Sequence, residues 1–206
     1  MANILFLDNI DSFSYNLIDQ LRYQQNHVVI YRNTVKIQTI SNTLKILKNP
    51  IIILSPGPGH PQNAGCMPEV IHTFKEQFPI IGICLGYQAL IAAHGGKITT
   101  IKNIKHGKVS SIQHDNKYMF INMPNPLSVA RYHSLACNTN TFPKTLTINA
   151  YYNDLVMAFR NNKKKICGFQ FHPESILTVQ GSQLMQQTLI WASKKTSKDT
   201  IKICAK

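Results

Sequence analysis

Acidic residues are scarce in this sequence, and long apolar runs are missing. The 206 residues include 9 Asp and Glu against 22 Lys and Arg, which gives a formal net charge of +13. No segment approaches the roughly 20 apolar residues of a membrane-spanning helix. The first residues also lack the basic start and the long apolar stretch of a secretory signal. We therefore expect a folded cytoplasmic protein that does not contact a membrane.

Cysteine is too sparse and too irregularly placed for a disulfide framework or a structural zinc site. There are five, an odd number, with wide gaps and no Cys-x-x-Cys pair. This usage is typical of a reducing compartment, where a cysteine is either a small core residue or a reactive thiol. No cluster of metal-ligating residues is evident, so we expect no metal and no other cofactor on this chain. The five are Cys66, Cys84, Cys137, Cys167 and Cys204.

The excess of lysine suggests nucleic-acid binding as a first hypothesis. However, the lysines are spread over much of the chain, and the only tight runs are residues 163–165 and 194–195. No RNA-binding signature or helix-turn-helix pattern accompanies them. We therefore favour a solvated basic surface and no nucleic-acid partner. A non-catalytic basic binding protein is kept as an alternative from another functional class.

Short apolar runs alternate with amphipathic helical patterns through the first half. This alternation predicts an open, mainly parallel α/β sheet of three layers, with helices on both faces. In the first helix, Phe13, Leu17, Ile18 and Leu21 lie on one apolar face. The apolar runs are residues 3–8, 27–31, 51–54 and 79–83, and the helical patterns are residues 12–24, 36–48, 67–77 and 85–94.

Residues 97–160 change character, with short alternating segments between Asn, Pro and Gly turns. They predict additional antiparallel strands at 108–114, 117–122, 146–152 and 156–160. Another apolar run at 166–171 and a last helix at 180–195 follow. We expect a single domain over residues 1–195 and a basic, frayed tail over residues 196–206.

One cysteine stands in a distinctive turn between an apolar strand and a helix. The pattern Gly82-x-Cys84-x-Gly86 has the form of a nucleophile elbow, with cysteine in place of serine. Such a turn is so tight that its flanking positions accept little beyond glycine, and it lifts the side chain clear of the sheet. We therefore interpret Cys84 as a nucleophile rather than as a core residue.

A histidine and a carboxylate follow another apolar run. In His172-Pro173-Glu174, proline biases His172 toward extended geometry, in which residues two apart point to the same side. Glu174 can then hold one ring nitrogen while the other faces a nucleophile, as a base and its orienting acid do. Because parallel strands end at one edge of a sheet, we expect this pair beside Cys84.

A glycine-rich loop, residues 55–59, ends a third apolar run. Gly57 has an N–H group and no side chain to obstruct a ligand, so it can supply one donor to an oxyanion. The N–H group of Leu85 can supply the other. Together these parts predict acyl transfer through a thioester on Cys84. Amidases, esterases and peptidases all fit that chemistry.

Three segments, in this order, resemble the motifs of the class I (triad) glutamine amidotransferases: SPGPG at 55–59, GICLGYQ at 82–88 and FQFHPES at 169–175. Over residues 3 to about 193, the chain also resembles the free-standing bacterial glutaminase subunits of anthranilate synthase (component II). The segments that carry this second likeness are LDNIDSFSYNL at 7–17, GCMPE at 65–69, HGK at 106–108, RYHSL at 131–135 and GFQFHPESILTVQG at 168–181.

The resemblance implies a substrate and a role for each residue. The substrate is L-glutamine, hydrolysed to glutamate and ammonia, with Cys84 as nucleophile, His172 as base and Glu174 as its orienting acid. One position departs from the family, because Tyr87 stands where histidine is common, and this puts only the local packing in question. The resemblance further implies that Gly57 and Leu85 form the oxyanion hole and that Gly57, Pro58, Gly59, Gln88, Ser134 and Leu135 bind glutamine.

The resemblance implies a partner as well. Nothing in the chain resembles a chorismate-binding, magnesium-dependent synthase, so the ammonia would pass to a separate subunit, anthranilate synthase component I, in tryptophan biosynthesis. We expect part of that contact around residues 11–13 and 15–16, at a strand end near the active edge. The main alternative is the glutaminase of aminodeoxychorismate synthase in folate synthesis, or one subunit shared by both synthases. Gln88 and residues 134–135 disfavour a third hypothesis, a cysteine peptidase.

Overall fold

Strands and helices alternate through the first half of the protein, as predicted. The structure, a computed structural model, describes residues 1–100 and 107–194. Strands β3 and β4 are buried along their whole length, as expected of a parallel sheet covered on both faces. The strands are β1 (Asn3–Asp8), β2 (His27–Arg32), β3 (Pro50–Leu54) and β4 (Ile80–Ile83), and the helices are α1 (Ser14–Tyr23), α2 (Ile37–Ile46), α3 (Met67–Phe74) and α4 (Leu85–Ala93).

The second half adds mostly antiparallel strands and one helix, α5 (Gly181–Ser193). The main sheet has the order β2-β1-β3-β4-β11-β10-β9-β6-β7, and the first five of these strands are parallel. The remaining pairs are antiparallel, which confirms the predicted fold class. The added strands are β5 (Thr99–Thr100), β6 (Lys108–His114), β7 (Leu127–Arg131), β8 (Leu135–Ala136), β9 (Thr147–Tyr152), β10 (Leu155–Asn161) and β11 (Ile166–Phe169).

Two cores, one on each face of the sheet, give the fold its three layers. In β1, Ile4 and Phe6 face the core that contains α1 and α5, while Leu5 and Leu7 face the core that contains α2, α3 and α4. This alternation follows from the two-residue period of a strand. No helix in the described ranges is long and apolar enough to cross a membrane.

The order of the central strands brings three segments to one edge. Strands β3, β4 and β11 are parallel neighbours. Their carboxyl ends lead into the 55–59 loop, Cys84 and the segment of His172 respectively. The predicted meeting of these segments at one edge is therefore present in the fold.

The strand predicted at 117–122 is wrong. Residues Tyr118–Phe120 form a short 3₁₀ turn, and Tyr118 and Asn122 have positive φ angles of 56° and 57°, which an extended strand does not contain. The turn buries both Met119 and Phe120, whereas a strand would direct one of them to each face. Burial of two consecutive apolar residues therefore prevailed over the alternating pattern.

Tyr87, the position that departs from the family pattern, is packed in the core. Its ring is fully buried against Phe159, with centroids 5.3 Å apart, and its hydroxyl donates to the Val156 carbonyl at 2.6 Å. The phenol therefore has both an apolar site and a hydrogen-bond partner. The predicted tail over residues 196–206, with Cys204, lies outside the described residues, as does His106 of the HGK segment.

Candidate active site

The turn that carries Cys84 is tightly constrained. It joins β4 to α4, and Cys84 has φ +49° and ψ −98°, a conformation that residues with a side chain rarely adopt. A Cβ on Gly82 would lie 2.6 Å from the carbonyl of Gly86, and a Cβ on Gly86 would lie 2.5 Å from the Leu54 carbonyl oxygen. Only glycine fits at positions 82 and 86, two residues before and two after Cys84. Because this sequence has glycine at both, it can form the strained elbow.

His172 and Glu174 form a buried pair beyond the end of β11. The His172 Nδ1 atom lies 2.6 Å from Glu174 Oε1. The other polar atom of each side chain, His172 Nε2 and Glu174 Oε2, is buried without a hydrogen-bond partner among residues 1–100 and 107–194. Buried polar atoms of this kind are costly unless a ligand satisfies them. The pair therefore has the arrangement of a base held by its orienting acid.

The pKa of the His172 imidazole is raised well above its ordinary value. Burial acts in the opposite direction, but the side chains of Cys84 and Glu174 outweigh it, because nearby negative charge favours the imidazolium. The Cys84 sulfur is close enough for this effect, although it lacks the geometry of a hydrogen bond to Nε2. A protonated ring beside a nucleophilic sulfur can give its proton to a leaving nitrogen.

Two backbone N–H groups next to Cys84 are free to bind an oxyanion. Those of Gly57 and Leu85 make no hydrogen bond within the described part of the chain. A Cβ on Gly57 would lie 2.9 Å from Leu85 Cδ2 and 2.6 Å from Asn9 Cβ, so no side chain fits there. Asn9 also anchors the loop, because its N–H donates to Ser55 Oγ at 2.8 Å and its side-chain amide donates to the Ser55 carbonyl at 2.9 Å.

The residues predicted to bind glutamine lie around the same edge. Gln88 is buried in α4, and its Nε2 atom donates to the Leu135 carbonyl at 3.1 Å. Ser134, which precedes Leu135, is exposed, and Pro58 and Gly59 form the exposed tip of their loop. The structure thus brings Gln88 and Leu135 into contact, while Ser134 and the loop tip are open to solvent.

Gln170 also lies at the site, although no role was predicted for it from the sequence. Its fully buried side chain places Nε2 3.8 Å from Cys84 Sγ, within hydrogen-bond reach of a sulfur. Gln170 lies two residues before His172, and in an extended segment side chains at that spacing share a side. The same spacing would therefore also have indicated Gln170 as a neighbour of His172.

A cavity of about 250 Å³ opens beside His172 and Glu174. Phe13, at the start of the apolar face of α1, is 45% exposed at this cavity, where its ring stacks on Tyr132 with centroids 5.8 Å apart. Tyr132 in turn meets the His172 ring edge-on, with centroids 5.0 Å apart. The apolar pattern of α1 therefore continues past the core to a surface beside the site. The remaining walls are Asn16, Ser175 and Ile176.

The model of the class-I glutamine amidotransferase family matches residues 5–192, nearly the whole chain. The chain belongs to this family. Family membership and the arrangement around Cys84 agree with the resemblance noted in the sequence. The roles of the individual residues stay predictions, which the experiments below test.

Among its amidotransferase relatives are two proteins named anthranilate synthase component 2, both from Buchnera aphidicola. The one from subspecies Schizaphis graminum is 56% identical over 195 residues, which cover 95% of this chain and 98% of the relative. The one from subspecies Acyrthosiphon pisum is 55% identical, with 95% and 96% covered. A solved structure, a putative GMP synthase subunit from Thermoplasma acidophilum, shares the fold with a TM-score of 0.81, 22% identity and 98% of each chain covered.

Proposed function

We propose that this amidotransferase is the glutaminase subunit of anthranilate synthase, in tryptophan biosynthesis. It hydrolyses L-glutamine to glutamate and ammonia, and a separate synthase subunit, component I, uses the ammonia with chorismate to make anthranilate. The observation that carries the glutaminase assignment is the strained Cys84 elbow beside the buried His172–Glu174 pair. The two Buchnera relatives support the pathway, because both are named anthranilate synthase component 2.

We assign each step of the proposed hydrolysis to a group at this site. The Cys84 sulfur attacks the side-chain amide carbon of glutamine, and the N–H groups of Gly57 and Leu85 bind the oxygen as it becomes negative. His172 gives its proton to the amide nitrogen and the C–N bond breaks. Ammonia is released, and the glutamyl group remains on Cys84 as a thioester. Water then loses a proton to His172 and attacks the thioester carbon, which releases glutamate and restores the thiolate. Glu174 keeps the ring oriented throughout.

In this proposal, side chains and backbone groups of this chain carry these steps without a cofactor. The magnesium ion that the synthase reaction requires would be bound by the synthase subunit. Within residues 1–100 and 107–194, no group of three or more His, Cys, Asp or Glu side chains is placed to hold a metal ion. We propose a cytoplasmic location, because the nucleophile must be a reduced thiol and Cys84 is free.

Large apolar side chains are exposed in or next to the segments that line the cavity beside His172. Ile176, which lines the cavity, is 92% exposed, and Val179 and Tyr15 are also largely exposed. Exposed apolar patches of this kind mark protein contact sites. We propose that the synthase subunit docks here, over Phe13 and Ile176, so that ammonia formed at His172 enters the partner rather than water.

Replacing Ile176 by glutamate should weaken the complex with the synthase at least tenfold. A carboxylate in this contact would have to lose its hydration without a partner, and about 1.4 kcal/mol suffices for a tenfold change in Kd. The matched control is Ile46→Glu, because Ile46 is 84% exposed at the end of α2, at the opposite edge of the sheet. Titrating glutamine-dependent anthranilate formation with the synthase measures both affinities. Equal affinities for the two variants would contradict the docking site.

Mixing the purified chain with an anthranilate synthase component I tests the proposed function. Anthranilate formation from glutamine should require both subunits, whereas formation from ammonia should require only the synthase. A chorismate-binding subunit that forms aminodeoxychorismate serves as the comparison and should gain less from this chain. Absence of glutamine hydrolysis with either partner would overturn the glutaminase assignment, and coupling to the second partner alone would overturn the pathway.

A further inference from the structure

We propose that Gln170 is a positioning residue for the nucleophile: its amide donates to the Cys84 sulfur and ties that sulfur to the glutamine-binding side of the site. The inference rests on the proposed glutaminase function. Strand register brings the two residues together, because Phe169 lies opposite Ile83 in the parallel pair of β11 and β4. Gln170 and Cys84 are the residues that directly follow these two strands, so they are neighbours at the sheet edge.

The orientation of the Gln170 amide is set by a chain of hydrogen bonds that starts at Arg131. This guanidinium, 2% exposed, donates from Nε to His133 Nε2 at 3.1 Å. Because arginine cannot accept, His133 carries its proton on Nδ1, which donates to the Leu135 carbonyl at 2.9 Å. Burial and the Arg131 charge lower the pKa of His133 to about 3, so the ring is neutral at ordinary pH.

The series of hydrogen bonds continues from the Leu135 carbonyl to the Cys84 sulfur. A carbonyl only accepts, so Gln88 must turn Nε2 toward it, at 3.1 Å. The same Nε2 atom donates to Gln170 Oε1 at 3.3 Å, which leaves Gln170 Nε2 facing the Cys84 sulfur at 3.8 Å. Matching of donors and acceptors along the whole chain therefore decides which end of the Gln170 amide meets the sulfur.

Gln170 is also held firmly enough to fix a neighbour. Its side chain is fully buried, and its backbone N–H donates to the Met157 carbonyl at 2.9 Å. A hydrogen bond to a charged sulfur is stronger than one to a neutral group, and its direction restrains where the sulfur lies. Gln88 belongs to the same series of hydrogen bonds and is predicted to bind glutamine. Substrate binding and the position of the Cys84 sulfur are therefore linked through Gln170.

Replacing Gln170 by methionine tests the proposal, because methionine keeps the length of the side chain and removes the amide. In the complex with the synthase, kcat for glutamine hydrolysis should fall roughly 10- to 100-fold, the effect of losing one hydrogen bond to a charged group, with little change in KM. Anthranilate formation from ammonia should not change. Alkylation of Cys84 by iodoacetamide at neutral pH, followed by mass spectrometry on the full chain, should also slow. A hydrogen-bond donor favours the charged form of the sulfur, so without it a smaller fraction of Cys84 is the reactive thiolate.

The matched control is Asn149→Leu. Asn149 is a buried amide that also donates to a sulfur, but to Met119 Sδ, at 3.2 Å, and not to Cys84. Its replacement should therefore leave both kcat and the rate of Cys84 alkylation unchanged. If Gln170→Met fails to fold, Gln170→Asn serves instead, because it keeps the amide but withdraws it from the sulfur by one methylene, and it should show the same loss.

Two results would overturn the proposal. One is a folded Gln170 variant with unchanged kcat and unchanged alkylation of Cys84. The other is a rise in KM alone, which would assign Gln170 to substrate binding. Failure of the proposed glutaminase function is distinguishable from both. The unsubstituted protein would then show no turnover, while the rate of Cys84 alkylation would still differ between it and the Gln170→Met variant.

Discussion

Replacing Cys84 by alanine should abolish anthranilate formation from glutamine, while the same complex continues to make anthranilate from added ammonia. Without the sulfur no thioester forms, and loss of a catalytic nucleophile typically costs roughly 10⁵- to 10⁶-fold in rate. Ammonia bypasses this step because its consumption belongs to the synthase subunit. Parallel assays with glutamine and with an ammonium salt, on complexes purified to equal stoichiometry, measure both reactions.

The other cysteines serve as controls for the Cys84 variant. Burial raises the pKa of the Cys66, Cys137 and Cys167 thiols, so none of them is suited to act as a thiolate. Alanine at any of these positions, or at Cys204, should have a mild effect on the glutamine reaction. Loss of the ammonia reaction in an intact Cys84→Ala complex would contradict the division of labour between the subunits. An indispensable second cysteine would mean that the site is misplaced.

Replacing His172 by alanine should be nearly as damaging as losing Cys84, whereas Glu174→Gln should cost about a hundredfold less than His172→Ala. The imidazole moves protons in both halves of the proposed reaction. The carboxylate, 2.6 Å from Nδ1, only orients the ring and stabilises its charged form. Glutaminase rates of folded variants in the complex provide the comparison. Equal losses would mean that Glu174 does more than orient its neighbour.

The pH dependence of the Glu174→Gln variant separates orientation from charge. Cys84 and Glu174 both raise the pKa of His172 against the effect of burial. Removing the Glu174 charge should lower the pKa of His172, so the imidazolium is lost at a lower pH. The alkaline limb of the kcat/KM profile for glutamine should therefore shift toward lower pH. An unshifted limb would show that the Glu174 charge does not act on the ring.

The motifs at the strand ends could be predicted because each obeys a local rule. Gly82 and Gly86 are required by contacts within and beside one tight turn, whose form is recognisable from five residues. His172 and Glu174 were predicted as a pair from their spacing around Pro173. The structure joins them through a turn, in which the Ser175 N–H donates to the His172 carbonyl, rather than through an extended segment. The apolar runs likewise predicted strands buried on both faces, and the structure confirms the parallel half of the sheet.

The strand prediction that failed and the contact of Phe13 both depend on surroundings that come from distant parts of the chain. Residues 117–122 alternate as a strand does, but the core accepts Met119 and Phe120 together, which an extended strand cannot provide. Phe13 continues the apolar pattern of α1, and only the fold shows that its ring meets Tyr132 at the cavity. In both cases the apolar pattern indicated that the side chain packs against other residues, but it could not indicate which ones.

By itself, the sequence determined the fold class, the nucleophile elbow and the histidine–glutamate pair, because sterics and strand periodicity act over a few residues. Only the tertiary structure decided that Arg131, His133 and Leu135, on and after an antiparallel strand, connect through Gln88 and Gln170 to the sulfur of Cys84. These contacts depend on the order and register of strands that are far apart in the chain. No local rule contains that information, since it arises only when both cores close around the sheet.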